Sequence, residues 1–299
     1  MKSLSQSSLF SSDLAFKVSR LPEKEIVLIS SWLLQKSPHT RTAYKRALRD
    51  LFFLFPTLTL QSLEVGHLIL FIKSKEKQKP TTLKFYRDAI SSLLTFCEKS
   101  GYISKNPAQI LDPIKISDNL ASKILTRIEL DRMISLEETH RNKILMKLLY
   151  YSGLRISEAL SLTLDHFKER QDGYQIVVVG KGGKIRSIFI GADLHQEVVA
   201  YVDSENLFLQ SFLFSRPGVP DRPISAVAAW QIIKQAAHRA KIGRPVSPHW
   251  FRHTSATHAI ENGAPIHVVQ HTLGHSSIAT TGKYLDSFPK ESNYNYLKQ

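Results

Sequence analysis

A mainly α-helical protein with one small β-sheet is predicted by three features of this chain. Up to residue 110 the apolar residues recur at helical spacing, and no alternating strand pattern occurs. Proline, glycine and Ser/Thr signals cut the chain into helix-length pieces. The clear β signal is confined to YQIVVV and KIRSIFI, which flank GKGG at residues 180–183 and read as a hairpin. The expectation is an all-α amino-terminal domain followed by an α+β domain.

The elements follow in order. Residues 1–20 are Ser-rich, with a broken apolar run that makes a poor signal peptide, and are expected to be disordered. EKEIVLISSWLL, after Leu21-Pro22, is an amphipathic helix that Ser37-Pro38 ends. HTRTAYKRALRDLFFLF sets Tyr44, Leu48, Leu51, Phe52 and Phe55 on an apolar face opposite a basic one. A third helix is expected from Leu60 to Lys77, and a fourth opens at Pro80 and stops at Gly101. These four form a helical domain over residues 21–110, and the proline-punctuated residues 111–122 read as a linker.

Thr126 and Glu129 make a capping box that opens the second domain. Asn142 to Tyr151 is its next helix. LRISEALSL then puts Arg155 at a helix start, with Glu158 three residues on. After the hairpin come a helix from Leu194 to Val202, a short strand at Phe212 to Phe214, a loop from Arg216 to Pro223, and a helix from Ala226 to Ala240. In SPHWFRHTSATHAIENG, Ser247 caps a helix, Pro248 suits its first turn, and Asn262-Gly263 is the stop. Pro265 opens another helix that Gly274 ends, and Ser276 or Ser277 starts a last one with Tyr284 near its end.

Composition narrows the function classes. The 299 residues suffice for about two domains. A net charge of +14 favours a polyanionic partner. No run reaches the roughly 18 apolar residues of a membrane span, so a membrane protein is not expected. Cys97 is the one cysteine, which excludes intramolecular disulfides and cysteine-rich zinc sites; it falls in a core-like run and agrees with a cytoplasmic protein. Arg41, Lys45, Arg46 and Lys84, with the alternating Lys73, Lys75, Lys77 and Lys79, line a candidate groove for DNA phosphates. Any single one of them reads as well as a solvated surface charge.

His249 and Arg252 share a helical face, and with His275 and Tyr284 they bring two imidazoles, a guanidinium and a phenol together, as work on a phosphate requires. GKGG lacks the spacing of a phosphate-binding loop, and no helix follows it. His267, His271 and His275 recur every fourth residue, but Gly274 interrupts the helix and no carboxylate or cysteine joins the set. No metal and no cofactor are expected.

Four separated pieces, LRISE, GKGGKIR, HWFRH and LGHSSIATTGKY, resemble in order and spacing the tyrosine recombinase (phage integrase) family, and within it the compact Xer-like or plasmid-type site-specific recombinases. The likeness spans the chain and is strongest from Arg155 to Tyr284. It implies a SAM-like helical core-binding domain and a catalytic domain over residues 123–287; the short polar tail at 288–299 and Gly282, two residues before Tyr284, depart from the family pattern. It implies that Arg155 and Arg252 are the catalytic arginines, Glu158 their support, Lys181 the hairpin lysine, His249 and His275 the site histidines, and Tyr284 the nucleophile. Lys184 and Arg186, which follow Lys181, join the expected DNA contacts. The implied partners are double-stranded DNA and a homo- or hetero-tetramer with a related recombinase on two sites, the two domains clamping the duplex. Integration, excision, inversion and replicon dimer resolution remain open.

The chemistry suits these groups. Cutting DNA without losing bond energy needs a covalent intermediate, here a 3′-phosphotyrosine that a second 5′-hydroxyl reverses. Two guanidinium forks bind the charge that develops on the phosphate oxygens, and His275 adds a donor. His249 is expected to manage the Tyr284 proton and Lys181 to protonate the leaving 5′-oxygen. Two alternatives stand beside this reading. A type IB topoisomerase shares the chemistry without a paired site. A helix-turn-helix regulator would use the two helices around Gly274, but it leaves Arg155, Lys181 and HWFRH unexplained.

Overall fold

A computed structural model describes residues 20–116, 120–180, 183–275, 277–282 and 284. Its contacts divide the chain into two units, Met1–Ser117 and Asp118–Gln299. Among the described residues, no helix is long and apolar enough to cross a membrane.

The first unit is helical: α1 (Glu23–Leu34), α2 (Pro38–Leu54), α3 (Val65–Lys73) and α4 (Pro80–Lys99). Ser37 accepts a hydrogen bond from the Thr40 amide and Pro38 occupies the first turn, so α2 starts where the sequence signals it. The faces read from periodicity meet in one core that holds Ile29, Trp32, Leu48, Leu51, Leu93 and Cys97. Helix α3 is shorter than the expected Leu60–Lys77. Residues 60–64 are held out of helix because the buried Glu25 carboxylate accepts from the amides of Leu60 and Gln61, and also from the Tyr102 hydroxyl. Glu64 then caps α3 reciprocally with His67.

The second unit opens with α5 (Arg127–Ser135), whose capping box pairs Thr126 with Glu129, then α6 (His140–Ser152) and the short α7 (Ile156–Leu160). Strands β1 (Phe167–Arg170), β2 (Gly173–Val179) and β3 (Ile185–Ile190) form an antiparallel sheet in that order. Its inner face carries Ile176 and Val178 from β2, and Arg186, Ile188 and Ile190 from β3. Strand β1 escapes the sequence reading because Phe167 is its one buried residue, which leaves no alternation to read. Helix α8 (Ala192–Ser204) follows. The loop expected from Arg216 to Pro223 is instead a small hairpin, β4 (Ser215–Arg216) with β5 (Val219–Pro223), turning at Gly218 with φ +73°. The expected strand at Phe212–Phe214 reduces to a single bridge between Phe212 and Thr163.

Helices α9 (Ala226–Arg239), α10 (Pro248–Glu261), α11 (Ile266–Leu273) and α12 (Ile278–Gly282) complete the unit. Ser247 makes no side-chain cap, so the first turn of α10 rests on Pro248 and on the Trp250 amide bonding to the Ser247 carbonyl. Gly153 and Gly274 end α6 and α11 in the left-handed region, at φ +60° and +64°, where a Cβ is disfavoured. Both turns bear on the site.

Candidate active site

Arg155 stands at the N-cap of α7. Its amide donates to Glu158 Oε2 at 2.8 Å and its Nη1 to Glu158 Oε1 at 2.9 Å. The same carboxylate takes a bidentate pair from Arg186, at 3.0 and 2.8 Å, while Arg186 Nε donates to the Thr272 carbonyl. Strand alternation explains why Arg186 is buried: it shares the inward face of β3 with Ile188 and Ile190. Expected as a DNA contact, it is placed as an internal strut between the hairpin, α7 and the end of α11. Burial alone would raise the Glu158 pKa, but the hydrogen bonds and charges of Arg186 and Arg155 hold it at about 2.

Arg252 is buried between two helix ends. Its Nη1 donates to the Gly153 carbonyl at 2.7 Å and its Nη2 to the Leu273 carbonyl at 2.5 Å. Both acceptors lie at helix C-termini, where a cation is favoured. Burial and the neighbouring Arg155 push its pKa down to about 10, so it stays protonated at neutral pH. His275 follows Gly274, with Nδ1 at 2.9 Å from the Thr281 hydroxyl. Desolvation, then Arg252 and Arg155, lower its pKa to about 4, which keeps the ring neutral. His249 is exposed yet partly desolvated; this and the charges of Arg252, Arg155 and Lys123 hold its pKa below the ordinary histidine value.

Tyr284 is 5% exposed and packs with Leu120, Ile124, Ala256, Val269 and Leu273. Its ring lies nearly parallel to that of His275, 6.4 Å away, and its charge is felt at Arg252. The sequence reading gave the Tyr284 proton to His249, but the phenol oxygen lies 3.0 Å from His253 Nδ1. The sequence reads His253 as structural or DNA-facing, with no part in the chemistry; the available signal for more is its place four residues after His249, on the same face of α10.

The structure thus brings Arg155, Glu158, His249, Arg252, His275 and Tyr284 within mutual electrostatic reach. Lys181 lies outside the described residues, and Lys184, just after it, is exposed. In the first unit Arg41 donates to the carbonyls of Leu33, Leu34 and Lys36 at the end of α1. Lys84 pairs with Asp88. Lys45 has its pKa lowered by desolvation and by Arg41, and Arg46 interacts with the Tyr86 hydroxyl. Among the described residues no group of three His, Cys, Asp or Glu side chains is arranged to hold a metal ion.

Comparison with known proteins places this geometry. The family model described as the phage integrase family matches residues 123–291. The tyrosine recombinase XerD of Staphylococcus aureus is 30% identical over 239 residues, which cover 74% of this chain and 75% of the relative. XerD of Chlorobaculum tepidum is 36% identical over 221 residues, covering 68% and 70%. Among solved structures, XerH site-specific recombinase bound to palindromic difH substrate, in a post-cleavage complex, matches with a TM-score of 0.72 at 20% identity, over 92% of this chain and 90% of that one. The Tn1549 transposon integrase in complex with circular intermediate DNA matches with a TM-score of 0.70 at 16% identity, over 91% and 98%. These structural likenesses establish a shared fold.

Proposed function

The chain belongs to the phage integrase family, as a tyrosine recombinase of Xer type, and we propose that it cuts and rejoins double-stranded DNA at a defined site through a bond between Tyr284 and a 3′-phosphate. One observation carries this reading: two guanidinium groups, two imidazoles and a phenol from separated segments lie within electrostatic reach of one another. Arg155, which is partly exposed, and Arg252 take the phosphate oxygens. Arg252 is already fixed by two carbonyls, so little reorganisation is needed when charge develops. In the tautomer whose Nδ1 accepts from Thr281, the neutral His275 offers Nε2–H as a further donor. Glu158 holds Arg155 and Arg186. Lys181, on the β2–β3 hairpin, is assigned to protonate the leaving 5′-oxygen. The guanidinium groups supply the charge stabilisation.

Residues 21–110 act as the core-binding domain, 111–122 as the linker, 123–287 as the catalytic domain and 288–299 as a tail. Arg41, Lys45, Arg46, Lys84 and Lys184 belong to the proposed DNA-facing set. Relatives of this fold are seen bound to DNA substrates, one as a dimer on a core site, which supports an assembly of four protomers of this chain, or of this chain and a related recombinase, on two DNA sites in the cytoplasm. The test is an SDS-stable protein–DNA adduct on a nicked suicide duplex in EDTA. Wild type should form it and Tyr284→Phe should not; an adduct with Tyr284→Phe would refute the nucleophile assignment.

A further inference from the structure

We infer that His253, rather than His249, accepts the phenolic proton of Tyr284 as it attacks the phosphodiester; this rests on Tyr284 being the nucleophile. His253 Nδ1 lies 3.0 Å from the phenol oxygen, within the reach required of a general base. The phenol is 5% exposed and walled by Leu120, Ile124, Ala256, Val269 and Leu273, so bulk water is a poor acceptor for its proton. Helix α10 fixes the geometry. His249, Arg252 and His253 fall three and four residues apart on one face, and the His249 ring packs edge-on against that of His253 at 4.4 Å. His249 lies next to Arg252 and Arg155, the cations assigned to the phosphate.

The step balances within the site. The Tyr284 O–H bond breaks and its proton passes to the lone pair of His253 Nδ1. The phenol oxygen bonds to phosphorus, and the bond to the 5′-oxygen breaks, that oxygen taking a proton from Lys181. In rejoining, the incoming 5′-hydroxyl gives its proton to the now neutral Lys181 amine as its oxygen bonds to phosphorus, and the displaced phenol oxygen recovers its proton from the His253 imidazolium. Around this pair, His249 packs against His253, His275 stacks beside Tyr284 and Arg252 feels the Tyr284 charge, while Arg155 and Lys123 act on His249. The charge of Arg252 opposes an added proton on the imidazole but favours the phenolate. Transfer inside the hydrogen-bonded pair leaves the net charge unchanged.

The experiment uses the full chain and a nicked suicide duplex cut from the replicon segment to which the wild-type protein becomes covalently attached. Single-turnover adduct formation is followed across pH for wild type, His253→Asn, His253→Gln and His249→Gln, with gel shift reporting folding and DNA binding. Asparagine keeps an acceptor near the Nδ1 position but cannot take up the proton. His253→Asn should bind DNA normally and cleave about a hundredfold or more slowly at neutral pH. Its rate should keep climbing about tenfold per pH unit, as expected when hydroxide must remove the phenolic proton, where wild type has levelled. His249→Gln should keep the imidazole limb of the wild-type profile. The inference is overturned if His253→Asn or His253→Gln stays within about threefold of wild type with the same profile, a structural role only, or if the limb vanishes in His249→Gln instead. A wild type without adduct, or an adduct from Tyr284→Phe, sinks the nucleophile assignment itself and is read separately.

Discussion

Replacing Glu158 with glutamine should damage stability and chemistry together. The carboxylate is 6% exposed and accepts from the Arg155 amide, Arg155 Nη1 and both terminal nitrogens of Arg186. A carboxyl held at about 2 against its ordinary 4.5 corresponds to roughly 3 kcal/mol of stability carried by its charged form. Breaking a buried ion pair from one side costs a similar amount, about 3–5 kcal/mol, because Arg186 is left buried without its counter-charge. The folded pKa lies below the unfolded one, so this stability is fully present above pH 4.5 and is lost as pH falls toward about 2. Urea denaturation followed by far-ultraviolet circular dichroism should therefore show the variant about 3 kcal/mol less stable at neutral pH. That gap should close over the acid window as wild type loses its advantage. Adduct formation should also slow by about a hundredfold, since Arg155 loses both its guanidinium anchor and its place at the helix cap. A gap under about 0.5 kcal/mol at neutral pH, or one that persists unchanged into acid, would refute the claim that one carboxylate organises both arginines.

Gly153→Ala should destabilise the second unit by about 1–3 kcal/mol: the residue sits at φ +60°, and an added Cβ would lie 2.7 Å from the Leu273 side chain. Because the Gly153 carbonyl accepts from Arg252, adduct formation should slow while gel-shift affinity holds; an unchanged Tm and rate would contradict this. Arg252→Gln should lift the His275 pKa above about 4, read from its imidazole proton shifts by NMR. The lift should stop short of the ordinary 6.5, because burial is the larger cause, and a titration that does not move would show that Arg252 exerts no field there. In wild type the depressed pKa means that the contribution of neutral His275 is present above pH 6.5 and lost as pH falls through about 4.

Much of the molecule was legible because its signals are local. Helices α1, α2, α4 and α10 follow from apolar periodicity with proline and glycine boundaries, and the β2–β3 hairpin from alternation around GKGG. Where local signals are weak, the structure departs from the sequence expectation. Strand β1 has one inward residue, and β4–β5 is too short and polar to show a pattern. Helix α3 was drawn too long because Glu25, some thirty-five residues upstream, captures the backbone at Leu60.

The sequence by itself determined the class of the protein, since Arg155, Lys181, His249, Arg252, His275 and Tyr284 stand in the order and spacing that resemble the tyrosine recombinase family. Tertiary structure alone decided which of these groups touch. Arg186 meets Glu158 across 28 residues and His253 meets Tyr284 across 31. Such pairings depend on how a sheet edge and three helices pack, and no periodicity within one segment encodes them. Arg186 reads as one more surface cation until strand register turns it inward. His253 reads as structural or DNA-facing until folding brings the Tyr284 hydroxyl to its ring nitrogen.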